Sequence, residues 1–368
     1  MSRPLRVLHV AQPTTEGVAV LTAAMAADQV TRGWDVAVAC PGTGDLPVWT
    51  SAGGAQHLPW AAARNPGASV PREVAALRGL IGRFGPDVVH LQSSKAGLAG
   101  RLAIRGRIAT VFSPHAWSFL ASAGPQAWAA LRWERWATRW TAAVVAVSAA
   151  EASAGQAAGI EARYVVARNG VDLQLHPAAD AADRRAARSS LALGPEPLAV
   201  CVGRVCRQKG QDLLLAAWPT VRSALPDALC VLVGDGPDLA AVQSSHVAGV
   251  RAVGRRDDVP SWLAAADVVV LPSRWEGLSL AMLEAMAAGR ALVVSDVSGA
   301  TEALGEVSAA VPVGDVPALA DAVTQLLADP QRAAAEGAAL RRRAEELFDL
   351  RRTADELAAV YLELSGRR

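Results

Sequence analysis

Lysine is almost absent from this chain: of 36 basic residues only Lys95 and Lys209 are lysines, and the rest are arginines. Charge of either sign is scarce, with 36 basic against 35 acidic residues and a charged fraction of 19%. A net charge of +1 provides no global field to hold nucleic acid, so any anion site has to be local. Low charge together with a hydrophobic fraction of 52% excludes a disordered chain. Long apolar runs are missing as well. Stretches such as 142–147 and 268–271 fall far short of the roughly 18–20 residues that span a bilayer, so no transmembrane helix is expected. Arg6 and His9 interrupt what would have to be the apolar core of a signal peptide, and the N-terminus reads as a first strand. Cys40, Cys201, Cys206 and Cys230 lack both Cys-x-x-Cys spacing and metal-finger partners, which suits reduced core thiols in a cytoplasmic protein.

What the chain does have is length and rhythm. Its 368 residues are enough for two or three domains at roughly 100–200 residues each. Short β-rich runs alternate with Ala-rich helical stretches throughout, the pattern of parallel sheets wrapped by crossover helices. One set of strands is expected at 6–10, 35–40, 87–91, 108–112, 143–148 and 163–167, and a second at 198–203, 229–234, 250–253, 267–271 and 291–295. Between them, 172–197 breaks the rhythm with Pro177, an Asp/Arg-rich patch and Gly194-Pro195-Glu196-Pro197, and reads as a linker. The tail from about residue 330 is helical by pattern.

In the second set, the strand at 198–202 runs into Gly203-Arg204-Val205-Cys206-Arg207-Gln208-Lys209-Gly210 and then an apolar helical stretch. A strand, short loop and helix start aims backbone N–H groups at an anion. Arg204 offers a planar fork to phosphate oxygens, and Lys209 a compact point charge. A lysine in a chain that otherwise writes arginine suggests a site that arginine cannot serve. A stronger signal follows the strand at 267–271, where Glu276-Gly277-Leu278-Ser279-Leu280 leads into a helix carrying Glu284. In a doubly wound sheet this is the carboxyl end of a strand, where ligands bind. First-turn amides have no intrahelical partners and are free to face a phosphate. Ionised Glu only accepts hydrogen bonds, which suits a ligand rich in hydroxyls.

These features, together with Asn169-Gly170-Val171-Asp172 and Val233-Gly234-Asp235-Gly236-Pro237, resemble the retaining family 4 glycosyltransferases of GT-B fold. The resemblance covers nearly the whole chain and is most specific over 200–300. It implies two facing Rossmann-like, doubly wound α/β domains with a cleft between them. The boundaries would be 1–172 for an acceptor-binding domain, 173–197 for the linker, 198–345 for a nucleotide-sugar-binding domain, and 346–368 for a C-terminal helix packing back on the first domain. It also implies transfer of a sugar from a nucleoside-diphosphate donor, with a UDP-sugar expected, to an acceptor hydroxyl with retention of configuration. By matching position, Arg204 and Lys209 would neutralise the diphosphate with the amides of Gly277, Leu278, Ser279 and Leu280. Glu284 would accept from the ribose hydroxyls, Glu276 would contact the donor sugar, and backbone near Gly234 and Gly254-Arg255 would hold the nucleotide.

In the first set, Ser113-Pro114-His115-Ala116-Trp117-Ser118-Phe119 resembles the family's Thr-Pro-His-Gly segment. His115 would face the donor sugar as a catalytic group beside Glu276, with Trp117 toward the acceptor. The chain departs from the pattern twice: the paired glycines of the first loop are reduced to Thr15-Glu16-Gly17-Val18, leaving Gly17, and Ala116 replaces the glycine after the histidine. Lys95, at a strand end before a helix, has two readings, a lining of the acceptor side or a solvated helix start.

Residues 126–140 place Trp128, Trp133, Trp136 and Trp140 among Arg132, Arg135 and Arg139. At 100° per residue the arginines form one stripe and three tryptophans the next. Such a helix either lies in the headgroup region of an anionic membrane, making the protein peripheral at the inner membrane face, or packs its tryptophans on the sheet. No Asp-x-Asp cluster is present, so neither a metal nor a cofactor is expected. Lipid-linked saccharides of the cell envelope and small natural-product scaffolds both remain as acceptors. Two rivals remain, a sugar-nucleotide epimerase and a non-catalytic nucleotide-sugar binder. A nicotinamide dehydrogenase is disfavoured, because 234–239 lacks a third glycine and Pro237 interrupts the loop.

Overall fold

The structure, a computed structural model, describes residues 3–366. The chain divides into two units, one of Met1–Asn169 with Arg351–Arg368 and one of Gly170–Leu350. The first holds seven strands: β1 (Arg6–Ala11), β2 (Asp35–Cys40), β3 (Gln56–Pro59), β4 (Val88–Gln92), β5 (Ala109–Ser113), β6 (Ala143–Ala146) and β7 (Tyr164–Val166). They form one parallel sheet in the order β3-β2-β1-β4-β5-β6-β7. The second holds β8 (Leu198–Val202), β9 (Leu229–Val233), β10 (Val250–Gly254), β11 (Val268–Leu271) and β12 (Ala291–Val294). Their order is β10-β9-β8-β11-β12, again all parallel. The central strands are Val-rich and buried on both faces, as helix-covered parallel strands are.

Every expected strand is present, and β3 is an addition. Gln-His-Leu-Pro has no β-branched residue and forms an edge strand, so its strand character comes from pairing with β2 rather than from propensity. The stretch expected as a linker contains the helix Ala181–Ser190, opened by a reciprocal capping box between Asp180 and Asp183. Arg184 and Arg188 of that helix both pair with Asp267 at the foot of β11, so the segment belongs to the second unit rather than tethering it.

The two faces of the first sheet differ. Leu8, Val10, Val89, Leu91 and Phe112 pack an apolar core with Trp60, Leu77 and Trp117. Alternation puts His9, His90 and Gln92 on the other face, where the register sets His9 beside His90 and Gln92 beside Ser113. That face meets Gln29 of the helix Glu16–Thr31 and Tyr361 of the last helix, Leu350–Leu364. The last helix is further tied to its unit by Thr353 Oγ1 donating to Arg168 O at 2.6 Å and by the exposed Arg163–Glu363 fork at 2.7 Å. The second unit has its own core around Trp218, Leu214, Val270 and Val293.

Candidate functional site

In the second unit the proposed residues gather on the carboxyl rim of one sheet. The strand order reverses direction between β8 and β11, and the loops after these two strands flank the switch point where open α/β sheets bind ligands. The two loops touch backbone to backbone. Gly210, at φ +69 before the helix Gln211–Ala224, sits where a Cβ would fall 2.0 Å from Pro272 O. Across this contact Lys209 Nζ meets Glu276 Oε1 at 2.5 Å, and Ser273 Oγ donates to the same oxygen at 3.0 Å. Both charged side chains are mostly enclosed, 19% and 11% exposed, so their interaction is screened less than at the surface. Arg204 Nη2 donates to Gln208 Oε1 at 3.3 Å, and Gln208 Nε2 to Trp275 O at 3.1 Å. Arg274 clamps the loop pair from outside with a bidentate ion pair to Asp212 and a bond to Arg207 O.

Gly277, Leu278 and Ser279 lead into the helix Leu280–Ala287, whose N-cap Ser279 places no side-chain bond on the first-turn amides. A pocket of about 10 Å³, room for one water, opens beside Ser273, Glu276, Ser279 and Ser298. One turn further, Glu284 is 21% exposed, with His176 Nε2 4.0 Å from its carboxylate. Burial pushes the Glu284 carboxyl up to about 7, against the pull of the Lys209 charge. His176, in the expected linker, has a buried Nδ1 without a partner, and burial lowers its imidazole against the opposing charge of Asp172. No local pattern in the sequence marks it. Gly234 ends β9 close to the Gly203 carbonyl. Arg255 follows the edge strand β10, largely exposed and 3.8 Å from Asp257, two strands from the switch point.

In the first unit the signal is backbone strain. Among the described residues of this unit five non-glycine residues have positive φ, and four of them, Glu16 (+64°), Ser93 (+89°), His115 (+52°) and Ala116 (+81°), lie on the carboxyl rim after β1, β4 and β5. Such strain concentrates at functional sites. Glu16 and Ala116 are where the chain departs from the family's glycines, and both hold the left-handed backbone that glycine takes without penalty. Gly17 itself lies in the first helical turn without positive φ.

Glu151, which sequence reasoning missed, holds the His115 loop. Its Oε1 accepts from Ala116 N at 2.6 Å, its Oε2 from Val147 N at 2.9 Å, and its carbonyl from Trp117 Nε1 at 2.8 Å. Burial pushes its carboxyl up to about 7, opposed by these two amide bonds. Ser148-x-x-Glu151 reads as a helix start, and Ser148 does cap the Glu151 amide, but the carboxylate divides between Val147 N before its own helix and Ala116 N in the neighbouring loop.

His115 Nε2 lies 2.6 Å from Gln92 Oε1. Gln92 Nε2 in turn reaches His90 Nδ1 at 3.1 Å and His9 Nδ1 at 3.4 Å. Desolvation holds His9 and His115 down at about 4 and His90 well below the usual imidazole range, so all three are neutral near pH 7.

Two expectations are corrected. Lys95 does not line an acceptor surface, nor is it a solvated helix start. It is buried, with Nζ 2.6 Å from Glu73 Oε2 and 3.3 Å from Asn65 O, as a desolvated cation requires. Trp117 does not face an acceptor, because it is 1% exposed and packs against Phe112 and Phe119 in the core. The Trp/Arg segment is a helix only over Gly124–Ala137, followed by a 3-10 turn. Trp128 and Trp136 are exposed, with Arg132 and Arg139 stacked on them at 4.9 and 4.5 Å, whereas Trp133 tucks beside Arg101.

Among the described residues no group of His, Cys, Asp and Glu could hold a metal, and no helix is long and apolar enough to cross a membrane. Residues 15–175 match the profile described as Glycosyltransferase Family 4, and residues 196–329 that described as Glycosyl transferases group 1. The chain is similar to the GDP-mannose-dependent alpha-(1-6)-phosphatidylinositol monomannoside mannosyltransferase of Mycolicibacterium smegmatis, 37% identical over 49% of this chain and 51% of that protein. It is also similar to the lipopolysaccharide core biosynthesis mannosyltransferase LpcC of Rhizobium leguminosarum bv. viciae, 34% identical over 63% of this chain and 67% of that one. The match thus spans about half to two thirds of these relatives' length. Anabaena HepE, solved with UDP and glucose, superposes with a TM-score of 0.83 over 97% of this chain and 99% of that one, at 22% identity, which speaks for the fold. With matching profiles over both halves, two parallel α/β sheets and this neighbour, the chain belongs to glycosyltransferase family 4 and has the GT-B fold.

Proposed function

We propose that the protein transfers a hexosyl group from a nucleoside-diphosphate sugar to a hydroxyl of a lipid-linked envelope saccharide, with retention of configuration. The observation that carries this reading is the Lys209–Glu276 pair, joined by Ser273 across the two switch-point loops beside an uncapped helix start. Lys209, Arg204 and the 277–280 amides would stabilise the charge that develops on the departing diphosphate, where preorganised donors are most effective. That frees Glu276 to accept from a sugar hydroxyl, while Glu284 accepts from the ribose. For His115 we retain the role the resemblance implies, a contact to the donor sugar through a neutral imidazole.

The mannosyltransferase relatives support mannose as the sugar, and the name of the first supports guanosine as the nucleoside, in place of the uridine that the family resemblance implied. Turnover with GDP-mannose, UDP-glucose and UDP-galactose tests both. Consumption of GDP-mannose that requires an acceptor, giving an α-linked product by NMR, is the expected result. Release of nucleotide or an inverted sugar without acceptor would make it an epimerase, and binding without turnover a non-catalytic binder.

The exposed Trp128 and Trp136, each under an arginine, support a second element, peripheral contact with an anionic membrane surface. Anionic liposomes should sediment the wild type but not Arg132→Glu/Arg139→Glu; equal sedimentation sinks this element.

A further inference from the structure

The buried network of the first unit contains more polar groups than holding a sheet requires, and its donors and acceptors can be assigned one after another. Ser113 Oγ donates to Val145 O at 2.9 Å, so toward His90 Nε2, 2.8 Å away, it accepts. His90 is therefore protonated at Nε2, and its Nδ1 is an acceptor. The single lone pair of that atom is shared between the hydroxyl of Tyr361 and the amide N–H of Gln92. His9 Nε2 lies 2.9 Å from Gln29 Oε1 and therefore donates, leaving His9 Nδ1 as a second acceptor for Gln92 Nε2. With its nitrogen committed to two histidines, Gln92 can point only its oxygen at His115. His115 must then donate from Nε2, and its Nδ1, which makes no hydrogen bond among the described residues, is left as the acceptor.

We infer that Gln92 is a positioning residue for the transfer reaction: fixed by His9 and His90, and through His90 by Tyr361 of the C-terminal helix, it sets the ring orientation and tautomer of His115 so that Nδ1 is presented to a hydroxyl of the donor. The inference rests on the proposed contact of His115 with the donor sugar. Gln92 and Tyr361 touch no substrate in this scheme and act only through His115. A methionine at position 92 would keep the bulk and supply neither the acceptor nor the donors.

The test uses the full-length protein and two readouts, the imidazole tautomers by long-range ¹H–¹⁵N NMR and steady-state kinetics with GDP-mannose and acceptor. In the wild type His115 should show a single Nε2–H form. Gln92→Met should replace it with mixed tautomers and lower kcat at least tenfold with the donor KM within about twofold. Tyr361→Phe, which leaves Gln92 in place, should move the His90 signals and lower kcat by a smaller factor, and His115→Ala should lose at least as much as Gln92→Met. A Gln92→Met protein with the wild-type His115 signal and turnover, beside an impaired His115→Ala, overturns the inference and spares the site. Should Gln92→Met not fold, an unchanged His90 signal and unchanged kcat in Tyr361→Phe overturns it equally. Wild-type turnover in His115→Ala removes the functional reading of His115, and the inference with it.

Discussion

At the carboxyl rim of the second sheet Lys209, Arg204, Glu276 and Glu284 are charged or titratable groups, whereas in the first unit His9, His90, Gln92 and His115, which run from one face of the sheet to its carboxyl rim, are neutral and carry only direction. Both rims descend from one architecture, parallel strands with a reversal of order between two central strands. They are stabilised in opposite ways. The charged rim pairs Lys209 with Glu276 beside a helix start that the Ser279 side chain does not cap. The neutral rim excludes charge by burial and gives every nitrogen except His115 Nδ1 a hydrogen-bond partner, which is what a low-dielectric interior demands of polar groups. A charge attracts a diphosphate from any angle, while a neutral imidazole is useful only in the correct tautomer and pose. The difference predicts that the two rims will fail differently when altered.

The largest effect is expected at the charged rim. Lys209→Ala should lower kcat/KM by about 10²–10³, the usual loss on deleting one donor to a developing oxyanion, and Lys209→Arg should recover little of it. Full activity in the arginine variant would show that charge alone suffices there. Next comes Glu151, whose two oxygens each accept a buried backbone N–H. Glu151→Gln turns one acceptor into a donor and should cost about 1–3 kcal/mol, read as a fall in Tm. Because burial raises this carboxyl from 4.5 to about 7, protonation favours the folded state. Its contribution is complete below about 4.5 and lost as pH rises through 7. The Tm gap between wild type and Glu151→Gln should therefore narrow across that window; a widening gap contradicts the assignment.

Glu284 sharpens the comparison through binding. With its carboxyl near 7, the ionised acceptor is lost as pH falls, so donor affinity should be about tenfold weaker at pH 6 than at pH 8. Isothermal titration should show that slope in the wild type and a flatter one in Glu284→Gln. The smallest effect concerns strain. Glu16→Gly and Ala116→Gly remove left-handed non-glycine backbone and should each stabilise by about 1 kcal/mol, a shift of a few degrees by calorimetry.

The charged rim was legible because its residues lie in two continuous strand–loop–helix segments, so that spacing alone brings Lys209, Glu276 and Glu284 to one sheet edge. The neutral rim was not, since its members come from β1, β4, β5, two helices and a loop, and their meeting depends on register. Lys95 shows the same limit. Its rarity drew attention, but the partner that explains it, Glu73, lies on another helix, and rarity measures neither burial nor pairing. The strands of both sheets could be placed from apolar runs, whereas β3 could not, because pairing rather than composition makes Gln56–Pro59 extended.

The contact between His90 and Tyr361 joins residues 271 positions apart. A chain emerging from the ribosome therefore presents the first sheet long before the helix that covers its polar face. Residues 170–350, a continuous unit, are complete earlier, and can fold while His9, His90 and Gln92 still await their last partner. The order of completion thus runs against the order of synthesis: of the two units, the one begun first is finished second, and His115 acquires its supported pose only once the helix Leu350–Leu364 has been made.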